Sequence, residues 1–154
     1  METFQGLEHA LERVAVIDGI QFVNDSKATN IAAAARAIES FERGIVVILG
    51  GKFKGGDFAD LADALTARRA TVVSIGESRP LVAGALGARV NLQEAGDMRS
   101  AVRQAFALAA PGGTVLLAPA CASFDMFRDY AERGRVFKQE ARKLEEEWNG
   151  TREQ

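Results

Sequence analysis

The stretch GIVVILGG, residues 44–51, decides the fold class of this chain. It is a continuous apolar run that ends in glycines, a pattern typical of strands buried on both faces of a parallel sheet. ATVVSIG at residues 70–76 and TVLLAP at residues 114–119 also read as strands, and ARVNLQ at residues 88–93 is a shorter one. The sequence therefore predicts a mostly parallel sheet.

Segments with the apolar spacing of helices separate these strands. Asp57 stands at the start of one of them and is a predicted N-cap. Strands that alternate with helices of this length form βαβ units, which cross over right-handed and place helices on both faces of the sheet. The four segments are NIAAAARAIESF at 30–41, DFADLADALTAR at 57–68, ESRPLVAGALG at 77–87 and DMRSAVRQAFALAA at 97–110.

The beginning of the chain adds a hairpin to this sheet. RVAVIDGIQFVND, residues 13–25, contains two alternating apolar runs around Asp18 and Gly19, a favoured two-residue turn. The hairpin would place an antiparallel pair at one edge. We therefore predict a single Rossmann-like α/β domain with a mostly parallel sheet, helices on both faces and an antiparallel hairpin at one edge.

The end of the chain reads as a long charged helix. The pattern predicts helix from about Ser123 to Trp148, and a frayed or disordered end beyond it. We assign residues 1–150 to the domain and residues 151–154 to a disordered tail.

Composition narrows the classes of function. The 154 residues carry a net charge of −2, so no broad basic face for nucleic acid is expected. No apolar run approaches the roughly 20 residues needed to cross a bilayer, and the first residues lack the pattern of a secretory signal. Cys121 is the single cysteine, which fits a reducing compartment. We expect a cytoplasmic monomer without membrane or nucleic-acid partners.

Three loops follow predicted strands and open predicted helices, where ligands of such sheets gather. They are NDSKATN at residues 24–30, GGKFKGGDF at residues 50–58 and APACASFDMF at residues 118–127. Lys27 stands just before a helix, where a lysine works against the helix dipole. One explanation is that Lys27 and the free helix amides together face an anion.

Each loop also has a plainer interpretation. Lys52 and Lys54 of GGKFKGGDF could supply positive charge to a ligand site, or they could be solvated lysines of a flexible turn, and the sequence favours neither interpretation. Ser123 could cap the last helix and do nothing more, or it could present its hydroxyl to an anion. Cys121 lacks a neighbouring base in the sequence and reads as a small buried residue, and no cluster with metal-ligand spacing is recognised. Together the loops predict a site that binds carboxylates or phosphates.

The strings NDSKATN, ILGGKFKGGDF and LLAPACASFDMFRDYAERGRVF, in this order, closely resemble the C-terminal domain of the D-glutamate-adding Mur ligases. These enzymes are the UDP-N-acetylmuramoyl-L-alanine:D-glutamate ligases of peptidoglycan synthesis, and hence of cell-wall growth, cell shape and division. The resemblance covers nearly the whole chain. It implies an ATP-dependent reaction in which the carboxylate of the nucleotide-linked L-alanine is phosphorylated. The amine of D-glutamate then attacks the resulting acyl-phosphate, which gives an amide, ADP and phosphate.

The resemblance also implies roles for particular residues. Lys27 would be the catalytic cation at the reacting centre and near the phosphates. Asn24 and Asp25, with Lys27, would support the nucleotide side of the cleft. The residues implied to bind D-glutamate are Thr29, Lys54, Ser123 and Tyr130.

This sequence departs from the family pattern at several positions. Where the family reads GLPHR, with an arginine that reaches ATP, this chain reads GLEHA, so Glu8 and Ala10 stand in those places. Lys52 stands where the family often has an acidic residue, and Tyr130 where it usually has phenylalanine.

The resemblance implies that other domains of the complete enzyme hold UDP-N-acetylmuramoyl-L-alanine and most of ATP and Mg²⁺. No GK[ST] sequence occurs in this chain, so we expect no tightly bound cofactor and no ligation by the chain alone. The alternative hypothesis is a stand-alone module that binds glutamate or another anion without catalysis.

Overall fold

A single six-stranded sheet organises the part of the chain that the structure describes. The computed structural model describes residues 8–42, 44–53, 55–109, 111–123 and 126–152. The strands are β1 (Glu12–Ile17), β2 (Ile20–Asn24), β3 (Ile45–Gly50), β4 (Thr71–Ile75), β5 (Asn91–Glu94) and β6 (Thr114–Leu117).

The spatial order of the strands is β1-β2-β6-β3-β4-β5. All neighbouring pairs are parallel except β1 and β2, which form the antiparallel hairpin at one edge. The predicted fold class is thus confirmed. Asp18 and Gly19 both have positive φ, 52° and 77°, as a type I′ hairpin turn requires.

Helices cover both faces of the sheet. The helices are α1 (Ile31–Glu39), α2 (Ala62–Ala67), α3 (Arg79–Leu86), α4 (Met98–Leu108) and α5 (Tyr130–Arg152). A short 3-10 helix, Phe58–Leu61, precedes α2, and the Asp57 side chain caps it by accepting a hydrogen bond from the Ala59 amide. Each predicted helical segment therefore contains a helix.

Two hydrophobic cores result, one on each face. The first packs α1, α2 and α3 against the sheet, with residues such as Ile38, Leu65 and Leu86 fully buried. The second packs α4 and α5 against the opposite face, through residues such as Val102 and Phe137. The sheet is therefore buried on both sides, as its continuous apolar strands predict.

The last helix begins later than predicted. Residues 126–129 form a turn after Ser123, and α5 starts only at Tyr130, so the predicted helix start at Ser123 is wrong. The Asp129 carboxylate accepts a hydrogen bond from the Glu132 amide at 2.8 Å, which satisfies a free amide at the true helix start.

At its other end α5 continues past Trp148 to Arg152. It therefore includes two of the four residues assigned to the tail, while residues 153–154 lie outside the described residues. The division at residue 150 stays a prediction. No helix in the described residues is long and apolar enough to span a membrane.

Candidate functional site

The three loops singled out in the sequence meet at one edge of the sheet. They follow β2, β6 and β3, which are neighbours in that order. The Ala120 amide donates to the Ala28 carbonyl at 2.8 Å, which joins the first loop to the third. Lys52 and Ala122 exchange two backbone hydrogen bonds of 2.8 and 3.0 Å, which join the second loop to the third.

Gly51 makes the second of these contacts possible. Its φ is 136°, and a Cβ atom there would lie only 2.5 Å from the Ala122 carbonyl oxygen. No L-residue with a side chain could take this place without moving the backbone. Gly51 therefore permits the close approach of the second and third loops.

A buried arginine of α5 joins the first and third loops by hydrogen bonds. Arg133 is 1% exposed and donates from Nε to the Ser26 hydroxyl and from Nη2 to the Ser26 carbonyl, both at 2.9 Å. Its Nη1 donates to the Cys121 carbonyl at 2.9 Å. The Ser26 hydroxyl in turn donates to the Tyr130 carbonyl at 2.7 Å. One side chain of α5 thus fixes the loop that carries Lys27 and the loop that carries Cys121.

Lys27 projects from this fastened loop. Its side chain is exposed, and Nζ lies 5.8 Å from the centroid of the Tyr130 ring, within the range of a cation–π contact. Tyr130 is 37% exposed. Lys27 is therefore held near an aromatic ring while its charge remains accessible to a ligand.

The residues implied to bind D-glutamate are placed differently from one another. Thr29 is half-buried on the Lys27 loop, and Tyr130 lies at the start of α5. Ser123 is 2% exposed, and its carbonyl accepts hydrogen bonds from the Met126 and Phe127 amides. Ser123 therefore does not cap α5. Lys54 lies outside the described residues.

Asn24 is enclosed rather than presented to a ligand. It is fully buried, its Nδ2 lies 2.8 Å from His9 Nδ1, and the same Nδ2 donates to Glu12 Oε1 at 3.1 Å. Its Oδ1 accepts the Ser26 amide at 3.1 Å. Both the oxygen and the nitrogen of the side-chain amide are therefore hydrogen-bonded within the protein. Asn24 stabilises the Lys27 loop through its hydrogen bond with the Ser26 amide.

An ion cluster borders Asn24. Lys138, 7% exposed, donates to Glu8 Oε2 at 2.7 Å and to Glu12 Oε2 at 3.1 Å. Its hydrogen bond and charge lower the pKa of Glu8. Burial would raise the pKa of Glu12, but hydrogen bonds from the His9 amide, Lys138 and Asn24 outweigh it, and the net shift is downward.

The same cluster contains possible metal-ligand atoms of Glu8, His9 and Glu12 within 4.8 Å of one another, a grouping not predicted from the sequence. The Lys138 ammonium already bonds to both carboxylates. The Lys138 ammonium thus supplies the positive charge of this cluster.

Beside the Lys27 loop lies a cavity of about 310 Å³. Asp25 and Lys27 line it, together with Arg36 of α1. Asp25 Oδ1 accepts the Leu11 amide at 3.2 Å. Burial raises the pKa of Asp25, and the Leu11 hydrogen bond and the Arg36 charge offset only part of that rise. The remaining lining is mainly small and apolar: Ala10, Leu11, Ala28, Ala33, Ala37 and Ser40.

The family model described as the Mur ligase, glutamate ligase domain matches residues 11–121. The chain belongs to this family. A UDP-N-acetylmuramoylalanine–D-glutamate ligase from Solibacter usitatus is 47% identical over 145 residues, which are 94% of this chain and 33% of the relative. One from Acidobacterium capsulatum is 48% identical over 135 residues, or 88% of this chain and 29% of the relative. The chain thus spans about a third of the curated relatives it matches.

Solved structures agree on the fold of this Mur ligase domain. The MurF ligase of Thermotoga maritima in complex with ADP aligns with a TM-score of 0.61 at 17% identity, over 92% of this chain and 33% of that one. The bifunctional folylpolyglutamate synthase/dihydrofolate synthase of Yersinia pestis aligns with a TM-score of 0.62 at 21% identity, over 87% of this chain and 32% of that one.

Three residues that organise the site of this Mur ligase domain were not predicted: His9, Arg133 and Lys138. His9 keeps the histidine of the family pattern GLPHR. Arg133 carries a signal in its spacing along the helix. It precedes Phe137 by one helical turn, and Ala141 by two, so it falls on the apolar face of α5. The partners of Lys138 lie 126 and 130 residues away, a separation at which no local pattern reveals the pair.

Proposed function

We propose that this chain is the amino-acid-binding domain of an ATP-dependent ligase that adds D-glutamate to UDP-N-acetylmuramoyl-L-alanine in cytoplasmic peptidoglycan synthesis. The observation that carries the proposal is the set of three loops, hydrogen-bonded together at the carboxyl edge of the sheet and presenting Lys27. The names of the relatives at 41–48% identity supply the reaction.

Within this proposal Lys27 stabilises the negative charge that develops at the reacting centre. An exposed ammonium beside the Tyr130 ring, on a loop fixed by Arg133, is preorganised for that purpose. Thr29, Lys54 and Ser123 hold the carboxylates of D-glutamate, and Tyr130 borders the pocket. The amine of D-glutamate is the nucleophile, and this domain orients it.

The cavity beside Asp25 fits the nucleotide side of the reaction. A carboxylate can accept hydrogen bonds from sugar hydroxyls, the small apolar wall can contact a base, and the charges of Lys27 and Arg36 suit phosphates. The cluster of Glu8, His9 and Glu12 does not fit Mg²⁺, because the Lys138 ammonium bonds both carboxylates. We therefore expect Mg²⁺ to bind elsewhere in the complete ligase.

Titration of the ¹⁵N-labelled chain with D-glutamate and L-glutamate tests the pocket directly. We expect amide shifts at Thr29 and Ser123 with the D-enantiomer, and their loss in Lys54→Ala. Lys52→Ala is the matched control, since Lys52 is an exposed lysine two residues away. Equal responses to both enantiomers, or an unchanged response in Lys54→Ala, would remove the D-glutamate assignment.

A chimera tests catalysis. This chain replaces the matching third of the Solibacter relative, and D-glutamate-dependent ADP formation is measured. Lys27→Ala should lower kcat by about 10²–10³, the usual effect of removing a preorganised charge from a transition state. Lys143→Ala, an exposed lysine on α5, is the control. Full activity of Lys27→Ala would exclude the catalytic role. Binding of glutamate by the chain without activity in the chimera would favour the stand-alone module.

A further inference from the structure

His9 reaches the Lys27 loop in three ways. Its carbonyl accepts the Lys27 amide at 3.1 Å. Its ring lies edge-on to the Tyr130 ring, with centroids 6.1 Å apart and an interplanar angle of 84°. Its Nδ1 lies 2.8 Å from the Asn24 amide nitrogen. His9 is 4% exposed, and its contact with Asn24 is buried.

The hydrogen bonds of Asn24 fix the protonation state of His9. Asn24 Oδ1 accepts the Ser26 amide, and Nδ2 donates to Glu12, so the orientation of the side-chain amide is set by two other partners. Nδ2 must therefore donate to His9 Nδ1, which carries no proton. His9 is then neutral, with its proton on Nε2, 3.6 Å from Glu8 Oε2.

The charges around the ring act in both directions. Glu8 on the same loop and Glu12 on β1 favour protonation, whereas Lys138 and Arg135 on α5 oppose it. Burial is the largest effect and lowers the pKa of His9 below its ordinary value of 6.5. The neutral ring that the hydrogen bonds require is thus the form present at neutral pH.

We propose that His9 is a positioning residue for the Lys27 loop, held as a neutral hydrogen-bond acceptor, and that protonation of Nδ1 releases this loop. A proton on Nδ1 would face the Asn24 amide donor, so the contact must open. The amide cannot turn to present its oxygen without losing both the Ser26 and the Glu12 hydrogen bonds. The relevance of the released loop to catalysis rests on the role proposed for Lys27.

The chain contains one histidine, so its ring signals in NMR spectra are unambiguous. At pH 7.5 the ring nitrogens should show the Nε2–H tautomer. On acidification the Asn24 side-chain amide and the backbone amides of Ser26 and Lys27 should shift with the midpoint of the His9 ring, below pH 6.5. An Nδ1–H tautomer at neutral pH, or loop amides that do not follow the ring, would overturn the proposal.

Two substitutions separate positioning from simple packing. His9→Asn places an amide oxygen near the Nδ1 position, and asparagine tolerates the φ of 68° found there. At neutral pH this variant should keep the chemical shifts of the Ser26 and Lys27 backbone amides. Between pH 6.5 and the range in which carboxylates titrate, these chemical shifts should no longer change. His9→Ala should displace those amides at every pH. Retention of the acid-induced step in His9→Asn would contradict the proposal.

These measurements need no ligand. Failure of the D-glutamate titration would therefore remove the proposed function and leave the His9 contact to be judged on its own titration. Conversely, a His9 ring that titrates independently of the loop would remove this inference and leave the D-glutamate assignment untouched.

Discussion

The buried side chain of Arg133 joins two loops of the candidate site by hydrogen bonds. It is 1% exposed and bonds to the Ser26 hydroxyl and to the carbonyls of Ser26 and Cys121. Arg133→Met should preserve most of the buried volume but leave two carbonyls and a hydroxyl short of a donor. Each unsatisfied group costs about 1–3 kcal/mol. Because the Ser26 hydroxyl keeps its hydrogen bond to the Tyr130 carbonyl, we expect the lower part of the summed range, a loss of about 3–5 kcal/mol in the free energy of unfolding.

Urea denaturation followed by far-UV circular dichroism measures this loss. Arg142→Met is the matched control, because Arg142 is exposed on the same helix, and it should change stability by less than about 0.5 kcal/mol. Similar values for the two variants would show that Arg133 does not fasten the loops.

Asp25 illustrates a conflict between stability and binding. Burial raises the pKa of its carboxyl group above the ordinary 3.8, so ionisation costs more in the folded than in the unfolded chain. Stability therefore falls as pH rises from 3.8 through the folded-state pKa. Asp25→Asn should raise stability at pH 7, because the amide oxygen can still accept the Leu11 amide. The gain should vanish below pH 3.8.

Thermal unfolding of Asp25→Asn at pH 7 and pH 3 checks this sign. Asp60→Asn, at an exposed position, should stay within about 0.5 kcal/mol of the unsubstituted chain at pH 7. The same Asp25 variant should weaken nucleotide-dependent activity in the chimera. A destabilised Asp25→Asn at neutral pH would mean that the carboxylate charge stabilises the loop.

At the scale of a helix, α5 contains two glycines with opposite surroundings. A Cβ on Gly134 would collide with the His9 ring, 2.7 Å from Cε1 at one contact, and would lie 3.0 Å from Asn24 Nδ2. A Cβ on Gly150 would meet nothing within 4 Å. Helix propensity favours alanine over glycine at both positions, so only the collision distinguishes them.

We therefore expect Gly134→Ala to destabilise the domain by about 1–3 kcal/mol and Gly150→Ala to stabilise it by up to about 1 kcal/mol. Chemical denaturation of the pair measures the difference. NMR should also show the His9 and Asn24 signals displaced in Gly134→Ala only. If both substitutions stabilise the domain, the backbone of α5 at Gly134 does not lie as close to His9 as in the structure.

The elements of this fold were largely predictable because their signals are local. The Asp18-Gly19 turn and the apolar run of β3 each determine a structure within about ten residues. The start of α5 was predicted wrongly because Ser123 is a good capping residue by type. The decisive cap is Asp129, and Ser123 instead begins a turn at the carboxyl edge of the sheet.

The candidate site was predictable only in outline. The three loops follow strands, and topology brings the carboxyl ends of parallel strands together. The insertion of β6 between β2 and β3 depends on pairing across some 90 residues, which no local pattern specifies. The buried roles of Arg133 and Lys138 arise from that pairing, since both lie on the helix that follows β6.

At the scale of the whole domain, titrating groups on several elements set its response to acid. His9 has a lowered pKa, so stability is fully present above its ordinary 6.5 and falls as pH decreases toward the folded-state value. Glu12 and Asp97 also have lowered pKa values, so their contributions are present above 4.5 and 3.8 and are lost below those values. Asp25 acts in the opposite direction.

Thermal unfolding across pH should therefore show a plateau above pH 6.5, a first decline below it from His9, and a steeper one below pH 4.5 from the carboxylates. His9→Asn should remove the first decline, because asparagine does not titrate. Glu12→Gln should flatten the second and lower the plateau by about 1–3 kcal/mol, since the buried Lys138 loses one charged partner. Glu146→Gln, at an exposed position of α5, is the control for both. A single decline confined below pH 4.5, unchanged by His9→Asn, would place the acid sensitivity of the domain in its carboxylates alone.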